Sequence, residues 1–332
     1  MILAGDVGGT NARFALFEPG GRAPVRQESL RSVDFTSLEA AIRAFLGPRP
    51  PAISSAAFGI AGPVVGGKAH LTNLGWHVDS AALAAALGIA RVALLNDLVA
   101  LGFGALDVPR ERLRLLHGDR LPVASGANIA VIAAGTGLGE AALVWDGSSH
   151  VPLATEGGHT DFAPRDHLEV ELLEFLQKRF GGHVSYERIV AGPGIGNLYD
   201  FFVEVKGLVD PPAIAAQIQA AKDRNKEIFA LGAAGTSIVG ARVLPLFASL
   251  YGAEAGNLAL KTLATGGVFV CGGIAAHYAE ELVKGGFTQA FANKGRFAGL
   301  LADVPIAIVL DTDIGLSGSA AYAQRARATS ER

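Results

Sequence analysis

The chain has 332 residues, 50% of them hydrophobic and 18% charged, with a formal net charge of −3. So much apolar side chain collapses and buries itself, which excludes a disordered or fibrous chain. The near-neutral charge leaves no electrostatic footprint for nucleic acid, and the single cysteine, Cys271, excludes an intrachain disulfide framework and a multi-cysteine zinc site.

At roughly 150 residues per domain the length predicts about two domains. From the N-terminus, residues 1–6 show no basic region and no room for an export signal. The longest uncharged runs, near 121–139 and 262–279, are studded with Gly, Ser, Thr and Asn. A spanning helix wants about 20 mostly apolar residues instead, so no membrane segment and a soluble, cytoplasmic protein are expected. Leu3-Ala4-Gly5-Asp6-Val7-Gly8-Gly9-Thr10 followed by residues 11–17 reads as strand, glycine turn, strand. Helices are predicted over 38–45 and 80–87, and buried strands over 58–61, 92–95, 129–133, 268–270 and 306–310. This alternation means α/β architecture. Ile132-Ala133-Ala134-Gly135-Thr136-Gly137-Leu138-Gly139 with residues 140–145 repeats the first strand–turn–strand grammar, which suggests two domains that each open with a hairpin. A helix follows Asp166, a good N-cap, with Leu168, Leu172, Phe175, Leu176 and Phe180 on one face and Gly181-Gly182 as its stop. Residues 324–332 read as a frayed, polar helix end.

Glycine is 43 of 332 residues, about 13% against the usual ~7%. Chance then gives about five or six Gly-Gly pairs, and the chain holds eight, so a lone pair says little. Neither Gly135–Gly139 nor Gly192-Pro193-Gly194-Ile195-Gly196 matches the dinucleotide fingerprint, and no P-loop occurs. What remains is the pair of hairpins. Converging turn amides form an anion nest. Asp6 would repel a phosphate unless a divalent cation lay between them, since Mg²⁺ prefers carboxylate, water and phosphate oxygens. Thr10 and Thr136 could donate hydroxyls to the same phosphates, or all three side chains could simply satisfy turn backbone.

Gly5-Asp6-Val7-Gly8-Gly9-Thr10-Asn11-Ala12-Arg13, Leu95-Asn96-Asp97, Gly135–Gly139, Glu156-Gly157-Gly158-His159, Ser185-Tyr186-Glu187-Arg188, Gly192-Pro193-Gly194 and Gly272-Gly273-Ile274 occur in this order. In that arrangement the chain resembles the bacterial glucokinase family, of the superfamily shared by hexokinases, actin and heat-shock chaperone ATPases. The resemblance covers Gly5 to about Gly318. It implies two ribonuclease H-like α/β domains flanking a nucleotide and sugar cleft, with a small domain over 1–106 and 303–322 and a large one over 107–302.

Asn96-Asp97 follows the apolar run 92–95, so the pair could cap the next helix or sit where α/β folds bind ligands, at a strand's carboxyl end. The resemblance makes Asp97 the catalytic base and Asn96 a sugar contact. Glu156, His159 and the nearby Asp161 could be metal ligands, could contact a polyol, or could belong to a polar loop. No cysteine cluster follows, which disfavours zinc. Glu187 would also favour the helix dipole if Ser185 starts a helix; the resemblance assigns Glu187 to the sugar. Asn73 and the Gly62-Pro63 turn look like small-domain edges of the cleft, and Trp76 like core. The resemblance further implies that Asp6, Gly8, Gly9, Thr10, Thr136 and Gly137 hold ATP phosphates, with Asp6 touching Mg²⁺ only through the nucleotide. Gly272 and Gly273 would let adenosine lie on bare backbone. Arg13 is a phosphate or a structural contact, and no lysine is placed by motif for phosphate. The expected activity is ATP-dependent phosphorylation of the 6-hydroxyl of glucose by a homodimer. The alternatives are a kinase for another hexose or an N-acetyl amino sugar, and a non-catalytic sugar sensor.

Overall fold

The predicted strands pair into two main sheets, one in each of the units into which the chain's contacts divide it. The computed structural model describes residues 1–122, 126–311 and 313–328. The first unit comprises Met1–Arg112, Pro152–Ala154 and the chain from Asp311 on; the second comprises Leu113–Val151 and Thr155–Leu310.

In the first unit the strands are β1 (Ile2–Val7), β2 (Asn11–Phe17), β3 (Pro24–Arg31) and β4 (Ser55–Ile60), then β5 (Val64–Val65), β6 (Lys68–Leu71), β7 (Trp76–Asp79) and β8 (Val92–Asn96). β5 to β7 form a small sheet of their own, and the main sheet runs β3-β2-β1-β4-β8. β1 is antiparallel to β2 and parallel to β4, which is parallel to β8. Helix α1 (Leu38–Leu46) starts where Ser37 accepts from the Ala40 amide at 3.1 Å and stops at Gly47, whose φ of +75° suits glycine. Helix α2 (Ser80–Leu87) is capped by Asp79, which accepts from the Ala81 and Ala82 amides. Helix α3 (Asp97–Leu106) leaves the carboxyl end of β8 and is capped by Asn96. Trp76 is buried in this unit's core, as expected. The Ile314–Ala328 helix closes the sheet's other face: Ser319 Oγ donates to the Gly5 carbonyl at 2.9 Å and accepts from the Gly59 amide at 3.2 Å. This helix continues through part of the expected frayed end, with Gln324 bonded to Gly20 and Gly21; residues 329–332 lie outside the described residues.

The second main sheet is built of β9 (Leu113–His117), β10 (Ile129–Ala134), β11 (Leu138–Trp145), β12 (His150–Ala154), β13 (Gly267–Cys271) and β14 (Ile306–Val309), in the order β12-β11-β10-β13-β14-β9. β10 is antiparallel to β11 and parallel to β13, which is parallel to β14. Apart from the extra edge strand β9, this is the strand order of the first sheet, so the faint repeat in the sequence is a duplicated topology. Because β14 pairs with β13, the chain re-enters the first unit at Asp311, later than the expected Asp303, and it leaves it after Arg112 rather than at residue 106.

Helix α4 (His167–Phe180) has the predicted cap, Asp166 accepting from the Glu169 amide, and the predicted stop at Gly181 with φ +75°. Leu172 and Leu176 are fully buried, each stabilising by about 1.5–3 kcal/mol. Phe180 departs from the predicted face: it is exposed, with the Arg188 guanidinium 4.3 Å above its ring. Helix α5 (Gly192–Glu204) and the long Gly240–Thr262 helix complete the core. The latter is long and apolar enough to cross a membrane, which the sequence reading did not flag. However, 78% of its apolar window is buried, as expected of a core helix.

Candidate active site

In the first unit the candidates gather at the carboxyl ends of β1 and β8. In the β1–β2 turn the Gly8 amide donates to the Asn11 carbonyl at 2.9 Å, and the Gly8 carbonyl accepts from Ser32 Oγ at 2.8 Å. Thr10 is exposed, and a Cβ on Gly9 would meet Asn73 Nδ2 at 3.5 Å, so Asn73 flanks the turn. The β1–β2 register sets Asp6 opposite Arg13, and the two form an ion pair. Arg13 also pairs with Asp313. Its undecided role is thus that of a carboxylate partner, which offsets the negative charge that would otherwise repel a phosphate at Asp6.

Asn96 is buried. Its Oδ1 accepts from the Leu98 amide at 3.0 Å and its Nδ2 donates to the Gly62 carbonyl at 3.2 Å, which ties the Gly62-Pro63 turn to the start of α3. The capping reading therefore holds for Asn96. Asp97 is the first residue of α3 and half-buried, with Oδ1 2.9 Å from the Leu98 amide. A carboxylate there gains from the positive end of the helix.

In the second unit the glycine turn between β10 and β11 is closed by the Gly135 amide donating to the Gly137 carbonyl at 2.9 Å. The Gly192 amide donates to the Gly135 carbonyl at 2.7 Å, so the turn is bonded to the start of α5. Gly135, Thr136, Gly192, Pro193 and Gly273 line one side of a cavity of about 450 Å³. Ile195, Phe229, Ile274 and Tyr278 give it an apolar, aromatic wall, and Asp223, Asn225, Lys226 and His277 lie around it. Gly272 has φ +91°, and a Cβ there would sit 2.6 Å from the Ala134 carbonyl, so the chain can turn out of β13 here only as glycine. One lysine, Lys226, is among the residues around the cavity. It has no motif, and neither Phe229 nor Tyr278 was singled out by the sequence; packing of the Arg224–Ala233 helix brings them to the cavity.

Gly137 does not line that cavity. It belongs to a second cluster, because a Cβ on it would lie 2.5 Å from Glu187 Oε2, and the same oxygen accepts from the Leu138 amide at 3.1 Å. His159 Nδ1 lies 4.0 Å from Glu187 Oε1. The helix expected after Ser185 is a single 3₁₀ turn, Tyr186–Arg188, and Ser185 makes no side-chain cap. Glu187 therefore serves the β10–β11 turn rather than a helix dipole. Gly157–His159 is another 3₁₀ turn, started by Glu156, whose carbonyl accepts from the His159 amide at 3.0 Å. A Cβ on Gly158 would lie 2.0 Å from the Leu138 carbonyl, so this turn rests directly on the β11 backbone. Asp161 does not join the cluster: it pairs with His183 at 3.0 Å. Among the described residues there is no group of three or more His, Cys, Asp or Glu side chains that could hold a metal.

A family model described as Glucokinase matches residues 3–326. The chain belongs to the glucokinase family. A glucokinase of Synechocystis sp. is 38% identical over 347 aligned positions, covering 97% of each chain. The crystal structure of glucokinase from an Antarctic psychrotroph superposes with a TM-score of 0.81 at 33% identity, covering 98% of both chains. The glucokinase of Balamuthia mandrillaris, solved in complex with glucose, shares the fold at a TM-score of 0.77 and 20% identity, over 98% of this chain and 93% of that one. The hexokinase-type α/β fold expected from the resemblance is thus the fold of this chain.

Proposed function

We propose that this glucokinase-family chain transfers the γ-phosphoryl group of ATP to the 6-hydroxyl of D-glucose. The observation that supports it most is the joining of two sites by one turn. Thr136 faces a cavity of nucleoside size with an aromatic wall, while the adjacent Gly137-Leu138 pair carries Glu187 with His159 beside it. Carboxylate acceptors and an imidazole donor suit a polyol, and glycine-bounded amides suit phosphates.

Phosphoryl transfer through a loose transition state asks for positioning and charge neutralisation more than for covalent help. In this reading Asn96, Glu156, His159 and Glu187 orient the sugar, and Asp97 Oδ accepts the proton of the attacking hydroxyl. Gly8, Gly9, Thr10 and Thr136 hold phosphates, and Gly272-Gly273 leaves room for adenosine. The donor set around Asp6 fits Mg²⁺: one carboxylate, already partnered by Arg13, suits an ion carried by phosphates and water rather than a cage of protein ligands. When bound, Mg²⁺ would neutralise phosphate charge. The family resemblance further supports cytoplasmic work at the entry to glycolysis, as a homodimer.

A coupled ADP-release assay with glucose, mannose, fructose and N-acetylglucosamine tests the proposal. Turnover with glucose at the highest kcat/KM is expected. Preference for another sugar reassigns the substrate, because pocket contacts set that ratio, and saturable sugar binding with no ADP release makes the chain a sensor.

A further inference from the structure

Beneath the Gly157–His159 turn lies a pair of acids that the mechanism above leaves unused. Glu140, on β11, and Glu254, midway along the Gly240–Thr262 helix, are 1% and 0% exposed. The Glu254 carboxylate opposes ionisation of Glu140. Glu254 Oε2 accepts from Asn257 Nδ2 at 2.8 Å, and Glu140 Oε2 lies so close under Gly157 that a Cβ there would be 2.0 Å away. The remaining oxygen of each acid, Oε1, has no hydrogen-bond partner. Lys261 Nζ, half exposed, is 3.5 Å from Glu254 Oε1, and Lys294, bonded to Asn257, faces the same acid. Both ammoniums stand toward Glu254, and among the described residues no ion pair reaches Glu140, so a bare Glu140 carboxylate would be a buried charge without a cation of its own, which is costly. One proton held between the acids removes it.

The backbone around the pair leads to the sugar turns. The Glu140 carbonyl accepts from Thr155 Oγ1 at 3.0 Å, and Thr155 Oγ1 accepts from the Gly157 amide at 3.1 Å. On the other side Asn257 Nδ2 also donates to the hydroxyl of Tyr186 at 3.2 Å, next in the chain to Glu187. The Tyr186 amide donates to the Thr160 carbonyl at 3.1 Å, just after His159.

We propose that Glu140 is a positioning residue for the turn that carries Glu156 and His159, and that it acts by sharing one proton with Glu254. This rests on the reading of that turn as sugar-binding. With the proton in place a neutral carboxyl seats Gly157. Without it, two like charges repel under the turn and draw in water, and the turn lifts. Burial first, and the facing Glu254 second, push the Glu140 carboxyl up to about 8, against the pull of Lys261. Around the pair stand Tyr186, Tyr251, Lys261 and Lys294. Burial pushes the hydroxyls of Tyr186, up to about 12, and Tyr251 upward. Lys294 faces Glu254 and is lowered by burial; Arg165, paired with Glu169, lies beyond it.

The test uses the full chain, as wild type, Glu140→Gln, Glu254→Gln and Glu140→Ala. Glucose KM and ATP KM are measured across about pH 6 to 9.5, and melting is followed across about pH 5 to 9. Loss of a single proton near pH 8 raises the wild-type glucose KM by up to about tenfold at pH 9, with ATP KM flat. Glu140→Gln, which carries a permanent N–H donor, keeps a low glucose KM and loses the alkaline rise, whereas Glu140→Ala has a raised KM at every pH. The folded carboxyl is raised above its unfolded value, so its stability contribution is full below about pH 4.5 and is lost as pH rises through about 8. The wild-type melting temperature therefore falls across that window, and both Gln variants flatten the fall. A glucose KM flat through pH 9.5 in the wild type, or an unchanged alkaline rise in either Gln variant, overturns the proposal. A wild type that phosphorylates no sugar refutes the functional reading instead, and the melting comparison then judges the shared proton by itself.

Discussion

Gly158→Ala puts one methyl group where the structure has no room for it. The added Cβ would sit 2.0 Å from the Leu138 carbonyl oxygen and 2.9 Å from its carbon. Both are backbone atoms of β11, paired in register with β10, so they cannot swing aside as a side chain would. Restoring about 3 Å requires the Gly157–His159 turn to back away by about 1 Å, and such overpacking costs roughly 1–3 kcal/mol. A 1 Å misplacement of positioning groups costs on the order of 10²-fold in rate. Since Glu156 and His159 ride on this turn, kcat/KM for glucose should fall about a hundredfold. The KM for ATP should hold, because the cavity lined by Thr136 and Gly273 shares no atoms with it. The assay is coupled ADP release at saturating ATP with glucose varied, then the reverse, beside a thermal melt. Gly299→Ala is the control: its Cβ meets nothing within 4 Å, so it should match the wild type. A Gly158→Ala enzyme within about threefold of wild-type kcat/KM would refute the placement of the sugar on this turn.

Gly273→Ala should leave the melting temperature unchanged, since its Cβ also enters open space, yet raise the KM for ATP several-fold, because that space is the cavity wall. Titration of ADP release against ATP reads it. Asp97→Asn should lower kcat at least about a hundredfold with glucose KM largely kept, the mark of a base acting in the transition state; near-normal turnover would remove Asp97 from that role. Asp210, 3% exposed, accepts from Tyr199 Oη at 2.9 Å, Ser237 Oγ at 2.7 Å and the Val239 amide at 3.1 Å. Asp210→Ala orphans those donors at roughly 1–3 kcal/mol each and should lower stability in urea by about 3 kcal/mol or more, with glucose KM unchanged.

The parts of this fold that are legible in the sequence are those set by neighbours along the chain. The glycine turns after β1 and β10 need φ freedom and close approach, and Asp166 and Gly181 bound α4 by local capping chemistry. Asn96 announces α3 for the same reason. What stayed hidden depends on pairing between distant segments. Arg13 shows its role only once the β1–β2 register sets it across from Asp6 and the later chain brings Asp313. Ile306–Val309 is as apolar as a strand of either sheet, and only its pairing with β13 assigns it. Lys226 and Phe229 reach the cavity from one helix and Tyr278 from the bend between two short ones, none with a nucleotide signature in its sequence. Glu187 looked like a helix-start acid because Ser185 precedes it; the turn ends after Arg188, and the carboxylate reaches back to Leu138.

The Ile314–Ala328 helix has a consequence for how the molecule comes off the ribosome. It packs on β1 and β4 through Ser319, and Gly318 approaches α3 so closely that a Cβ would lie 1.8 Å from the Ala100 carbonyl. Strands β1 and β4 thus wait for a helix that follows every strand of the second unit in the chain before their second face is covered. The sheet of the second unit, by contrast, has all its strands once Val309 has emerged. Translation order and folding order are therefore opposed: the unit whose strands come earlier is completed after the other, and a nascent chain stalled before residue 314 would display an apolar surface to whatever chaperone attends it.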